Sequence, residues 1–225
     1  MTSQESDHEV GTEKFTRIPT VLVIDTSGGM KAKVRDNQKS RISKVNTALG
    51  YFERELNENP KTRRQVDLSI VTYGGKPEVA QEFTPAESWS SPILEAKGIS
   101  PLADGIDLAI DTLAEVREVY IKNKIPYKHP FIWLLTNNRP MMDKNSKRWK
   151  ITREQLDTGT SSNYFQFCAV CMGSSEFEYI NDLVNHTECE ATVLQDYNVE
   201  AAFDYIKTSL VECEIVDKTR FDHLK

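Results

Sequence analysis

The chain has 225 residues, with 34 acidic against 28 basic side chains and a formal net charge of −6. Its 39% hydrophobic and 28% charged residues are the proportions of a globular protein, and the length suffices for one sizeable core. That charge argues against a generic nucleic-acid binder, and no apolar run approaches the roughly 20 residues that span a bilayer.

Residues 1–16 lack apolar periodicity and read as a flexible acidic tail. The opening MTSQESDHEVGTEKF has no basic stretch followed by an apolar one, so no secretory leader is expected. The four cysteines then read as reduced thiols of a cytoplasmic protein. Pro19 to Asp25 is a continuous apolar run closed by Thr26-Ser27-Gly28-Gly29, the pattern of a strand buried on both faces of a parallel sheet. Ile42, Val45, Leu49, Phe52 and Leu56 recur at helical spacing until Asn59-Pro60 stops the helix. Val66 to Tyr73 is a second strand. The Gly74-Gly75 turn leads into a third at Glu78 to Phe83, which the short connection makes an antiparallel edge strand.

Residues 84–100 read as loop. Pro101 suits the first turn of a helix carrying the stripe Leu102, Ile106, Ala109, Leu113, Val116 and Tyr120. Phe131 to Thr136 is the most hydrophobic run and reads as a central strand, followed by a short helix over 147–157. Tyr164 to Val170 and Ala191 to Leu194 read as strands, and Glu176 to Val184 and Val199 to Val211 as helices. Strands alternating with helices predict a doubly wound α/β fold: a mostly parallel six-stranded sheet with one antiparallel edge strand and helices on both faces. One domain is expected over 17–213, with a C-terminal tail over 214–225.

In such a sheet the binding crevice lies beyond the carboxyl ends of the strands. The loops there include Asp25 to Gly29, Gly98 to Leu102, and Thr136 to Pro140. With Ile24-Asp25-Thr26-Ser27-Gly28-Gly29-Met30, Gly98 to Ala109 and Leu134 to Pro140, the chain from about Arg17 to Val211 resembles the von Willebrand factor A domain. Within that family it looks most like the bacterial TerY-like branch, associated with tellurite resistance and related stress systems. The resemblance implies a metal-ion-dependent adhesion site, in which Asp25 and Ser27 stand at the family's first Asp and first Ser. Gly29 replaces the second Ser, Ser100 the Thr, and Asn137 the second Asp. Asp25, Ser27, Ser100 and Asn137 are therefore the candidate ligands for Mg²⁺ or Mn²⁺, with one carboxylate where such cations typically use one or two. The other reading is that metal binding has been lost. Asp25 then caps its own turn while Ser27 and Ser100 satisfy backbone groups.

Charge is distributed unevenly. Lys31 to Arg64 holds ten basic and four acidic residues, and Arg139 to Arg153 holds six and one, which leaves seventeen excess negative charges for the remainder. Lys31, Lys33, Arg35, Lys39 and Arg41 follow the first strand, whereas Arg139, Lys144, Lys147, Arg148 and Lys150 follow the central one. Both runs should rim the crevice and draw a protein partner with an acidic or phosphorylated surface. Lys31, Lys33, Arg35, Arg139, Lys147 and Arg148 are the candidate contacts. Cys168 and Cys171 have CxxC spacing without a second pair and read as ordinary thiols. Trp89 and Trp149, placed in loops, are candidate interface anchors. The expected function is a non-catalytic protein-binding module. The alternatives are a nucleotide-binding or enzymatic α/β protein using the same crevice, and a structural subunit with a vestigial site.

Overall fold

A computed structural model describes residues 15–34, 38–137, 143–173, 177–185, 190–193 and 197–212. Six strands form one sheet in the order β3-β2-β1-β4-β5-β6: β1 (Ile18–Ile24), β2 (Val66–Thr72), β3 (Glu78–Pro85), β4 (Phe131–Thr136), β5 (Gln166–Cys171) and β6 (Glu190–Val193). All pairs are parallel except β2 with β3. The continuous apolar runs sit where both faces are covered: every residue of β1, β2 and β4 is buried. In β3 exposed and half-buried residues alternate over Glu78 to Phe83, as an edge strand with one solvated face requires.

Alternation along each strand feeds two cores. Leu22 and Ile24 of β1 join the helices α1 (Arg41–Glu58) and α6 (Val199–Glu212) on one face. Val21 and Val23 join α3 (Leu102–Lys122), α4 (Lys147–Ser161) and α5 (Phe177–Val184) on the other. Asn59-Pro60 stops α1 as expected but also starts α2 (Pro60–Gln65): the Asn59 carboxamide oxygen accepts the Lys61 and Thr62 amides at 2.9 and 3.3 Å, with Pro60 in the first turn. Among the described residues no helix is long and apolar enough to cross a membrane.

Both tryptophans proposed as anchors are interior. Trp89 is 2% exposed and stands edge-on to Phe52 at 6.3 Å. Trp149 lies on α4, not in a loop; it is 1% exposed and donates its indole N–H to Asp182 at 3.0 Å. Cys168 and Cys171 sit three positions apart on β5 and so face opposite cores, which removes any paired role for the CxxC spacing. The other two, Cys189 and Cys213, lie outside the described residues.

Candidate functional site

Strand order reverses between β1 and β4. The connection from β1 crosses outward to β2, while β4 lies on the other side of β1, so the loops leaving β1 and β4 part and open a crevice. Asp25 and Asn137 each follow directly on one of these strands. The Asp25 amide donates to Leu135 O at 2.9 Å, extending the β1–β4 ladder by one bond and setting Asp25 beside the end of β4. The Asp25 carboxylate accepts the Ser27 amide at 2.8 Å, an Asx turn that lifts the chain away from the sheet.

Three glycine-bearing loops then close around Asp25. Gly28 N–H donates to Gly98 O at 2.8 Å, Gly75 N–H to Ile99 O at 2.8 Å, and Lys97 N–H to Thr26 O at 2.7 Å. Gly98 adopts a positive φ of 64°, and a Cβ there would meet the Gly75 Cα at 2.5 Å. A Cβ on Gly74 would lie 2.1 Å from Thr26 O. These contacts bring Ser100, at the head of α3, to the same crevice as Asp25, Ser27 and Asn137.

All four candidate ligands are buried: Asp25 is 0% exposed, Ser27 and Asn137 are 2%, and Ser100 is 8%. Ser100 Oγ, both polar atoms of the Asn137 carboxamide, and Thr26 Oγ1 have no hydrogen-bond partner among the described residues. Tyr73, at the end of β2, completes the group. Its phenol is driven well above the usual range, first by burial and then by the negative charge on Asp25. Sequence reasoning missed Tyr73 because an aromatic residue closing an apolar strand reads as core; its place at a strand's carboxyl end was the available signal.

The donor set suits a hard cation in type, since one carboxylate, two hydroxyls and a carboxamide are all oxygen ligands. The unanswered oxygens of Ser100 and Asn137 fit such a group, whereas Gly29 offers no side-chain oxygen and only Asp25 carries charge. Among the described residues there is no cluster of three or more His, Cys, Asp or Glu side chains that could hold a metal.

The two basic runs reach the same edge of the sheet but on opposite faces and with different fates. Lys31 and Lys33 are exposed and form no ion pair among the described residues, while Arg35 and Arg139 lie outside them. Lys147 is exposed, but Arg148 is drawn inward. Its guanidinium pairs with Asp104 at 2.7 Å and Asp107 at 2.5 Å, both on the first turns of α3, and these bonds hold it firmly protonated against partial burial. Lys144 donates to Glu178 O at 3.0 Å and lies 4.4 Å from the Tyr179 ring, and Arg153 faces Asp182 at 3.9 Å. In the second run the two described arginines are answered by aspartates, while Lys147 and Lys150 stay exposed.

No family model and no curated protein sequence matches the chain. Solved structures do. The PilB minor pilin of Streptococcus sanguinis aligns with a TM-score of 0.61 at 12% identity, over 90% of this chain and 63% of that one. The vWF domain of the type V pili tip protein Mfa5 from Porphyromonas gingivalis aligns at 0.55 and 12%, over 92% of this chain and 99% of the domain. The fold is that of a von Willebrand factor A domain. Proximal thread matrix protein 1 of the mussel byssus, whose metal-ion-dependent adhesion motif holds zinc, aligns at 0.54 and 12%, over 87% of this chain and 46% of that one. Identities this low establish the A-domain fold alone. The chain spans less than two thirds of the PilB pilin and under half of the thread protein.

Proposed function

We propose that the chain is a non-catalytic module that docks a protein partner at the crevice over the carboxyl edge of its sheet. The observation that carries this reading is the unanswered polarity beside Asp25: Ser100 and Asn137 hold buried hydrogen-bonding atoms that no described residue completes. Each such group costs about 1–3 kcal/mol when left unpaired. A fold that keeps two of them next to a buried carboxylate is arranged for a group arriving from outside. The likeness to pilin and pilus-tip A domains supports binding over catalysis.

A divalent cation such as Mg²⁺ or Mn²⁺, when bound, supplies coordination positions for a partner's carboxylate. Asp25 would anchor it by charge, Ser27 and Ser100 would offer hydroxyl oxygens, and Asn137 its carbonyl oxygen. With Gly29 in place of a hydroxyl ligand and Asn137 in place of a carboxylate, the site is a reduced adhesion site whose affinity depends on charge brought by the partner. Lys31 and Lys33 draw a partner with an acidic or phosphorylated surface. The likeness of Ile24 to Met30, Gly98 to Ala109 and Leu134 to Pro140 to TerY-like domains supports a bacterial stress-resistance setting of tellurite type.

Calorimetric Mn²⁺ titration of the wild type, Asp25→Ala and Asn137→Asp tests the site, and partner capture by wild type and Asp25→Ala tests its use. Weak binding by the wild type, at least tenfold tighter binding by Asn137→Asp, and loss of both metal and partner by Asp25→Ala are expected. Equal capture by wild type and Asp25→Ala refutes docking at the crevice. A saturable thermal shift with a nucleotide moves the reading to a nucleotide-binding protein.

A further inference from the structure

We infer that the first basic run builds its own pocket for a phosphoryl group, between α1 and α6 on the rim of the crevice. The inference deepens the partner reading above and rests on it for the source of that group, a phosphorylated side chain of the partner protein.

The pocket is assembled by a short hairpin. Lys33 pairs with Ser40 in an antiparallel bridge, Val34 N–H donates to Lys39 O at 2.9 Å, and Arg41 N–H donates to Ala32 O at 3.0 Å. This returns the chain to the start of α1 and sets Lys39 at a cavity of about 300 Å³. Lys44 and Thr47 line it from α1, and Tyr197, Asn198 and Glu200 from the start of α6.

Its chemistry is rich in donors. Lys44 is half-buried and forms no ion pair among the described residues. The Asn198 carboxamide oxygen accepts the Ala201 amide at 3.2 Å, which leaves its N–H₂ group as the side chain's remaining donor. Arg41 backs the aromatic wall, its guanidinium 4.7 Å from the centre of the Tyr197 ring, and its Nε is buried with no acceptor among the described residues. Two lysines line the described cavity against one acidic side chain, Glu200. An occupant must therefore bring negative charge and several acceptors. A phosphoryl group carries close to two charges near neutrality and three strong acceptor oxygens. A single carboxylate brings half of that charge and only two oxygens.

The test is a titration of the full chain with inorganic phosphate and with a phosphoserine peptide at constant ionic strength, read by amide resonances. Saturable shifts centred on Thr47, Tyr197 and Asn198 are expected, with the peptide binding more tightly than free phosphate. Lys44→Gln should weaken binding roughly tenfold or more, as loss of a charge-assisted bond implies. Lys44→Arg should retain binding, which separates lost charge from lost structure, and Lys122→Gln at the far end of α3 should change it less than about twofold. Shifts centred on Lys31 or α4, a response that never saturates, or indifference to Lys44→Gln would each overturn the pocket. Equal affinity for free phosphate and peptide would overturn the partner as its source. The crevice reading fails separately: it falls if Asp25→Ala leaves partner capture intact, whatever phosphate does.

Discussion

Replacing Ser100 by Ala should make the protein more stable and less functional. Ser100 is 8% exposed, and its hydroxyl has no hydrogen-bond partner among the described residues. It also caps nothing: α3 starts after Pro101, with no side-chain hydrogen bond at its cap. Folding therefore strips the hydroxyl of water without replacing it, at a cost of about 1–3 kcal/mol. Deleting one oxygen removes that cost and leaves a void smaller than a methyl group, which returns part of the gain. A net stabilisation of about 1 kcal/mol remains, equivalent to a rise of about 2–4 °C in melting temperature for a chain of this length. The assay is thermal unfolding without divalent cation, paired with urea unfolding to check that the denaturant dependence is unchanged. The same variant should lose response to Mn²⁺. A fall in melting temperature would mean that the hydroxyl is satisfied within the fold, and the case for a crevice left open to an outside group would fail with it.

Four further substitutions test the pairing and packing of the fold. Asp67, 6% exposed, accepts from Arg17 Nε at 2.7 Å and from the Tyr120 hydroxyl; Asp67→Asn keeps the shape but removes the charge facing the guanidinium, which retains its bond to Arg64 O, and should cost about 1.5–3 kcal/mol in urea unfolding, with a loss under about 0.5 kcal/mol refuting the pairing. Gly74→Ala drives a Cβ into Thr26 O and should cost about 1–3 kcal/mol and abolish metal response. Gly50→Ala, inside α1 with no neighbour nearer than 3.9 Å, should instead stabilise by up to about 1 kcal/mol, so equal effects would refute the packing argument. The Lys207 hydrogen bond holds Glu55 below its usual 4.5, so this pair's contribution is present above that value and lost as pH falls through the folded value. Lys207 is raised above 10.5 by the same bond, so its contribution is lost again as pH rises past the folded value. The stability gap between wild type and Glu55→Gln should therefore close at both extremes of a pH series, and a gap constant across pH would refute the assignment.

What the sequence carried plainly was whatever depends on local pattern. The apolar runs of β1 and β4 implied strands covered on both faces, and Gly74-Gly75 implied the antiparallel edge. The strand-end rule then led to three loops, and the resemblance to the A domain singled out Asp25, Ser27, Ser100 and Asn137 within them. Asn59-Pro60 held two signals, a stop and a start, and only the stop was read; Asn as a cap and Pro in the first turn are also how α2 begins. Trp149 looked available because it was placed in a loop, yet it lies on α4, where helical geometry turns it inward while Lys147 and Lys150 stay outside. The fate of Arg148 was invisible in principle. Its partners, Asp104 and Asp107, lie 44 and 41 residues away, and the contact exists only once α3 and α4 share a face of the sheet.

That last contact changes what the basic runs can do. The two look alike in sequence, but a field is set by charges left unanswered, and at physiological ionic strength it reaches only about 8 Å. On the α4 side Arg148 and Arg153 face aspartates and Lys144 lies on Tyr179, which leaves Lys147 and Lys150 as the exposed cations with no ion pair among the described residues. On the α1 side Lys31, Lys33 and Lys44 have no ion pair among the described residues. An acidic partner is then steered asymmetrically, toward the α1 and α6 side of the crevice, and meets the hairpin lysines before it reaches Asp25. Lys31→Glu with Lys33→Glu should slow association and flatten its salt dependence. Arg148→Glu should loosen the α3–α4 packing and lower stability, with association rates measured below its melting temperature unchanged. If the two variants slowed association equally, the ion pairs of Arg148 would not be shielding it, and the crevice would have the symmetric basic rim that composition alone implied.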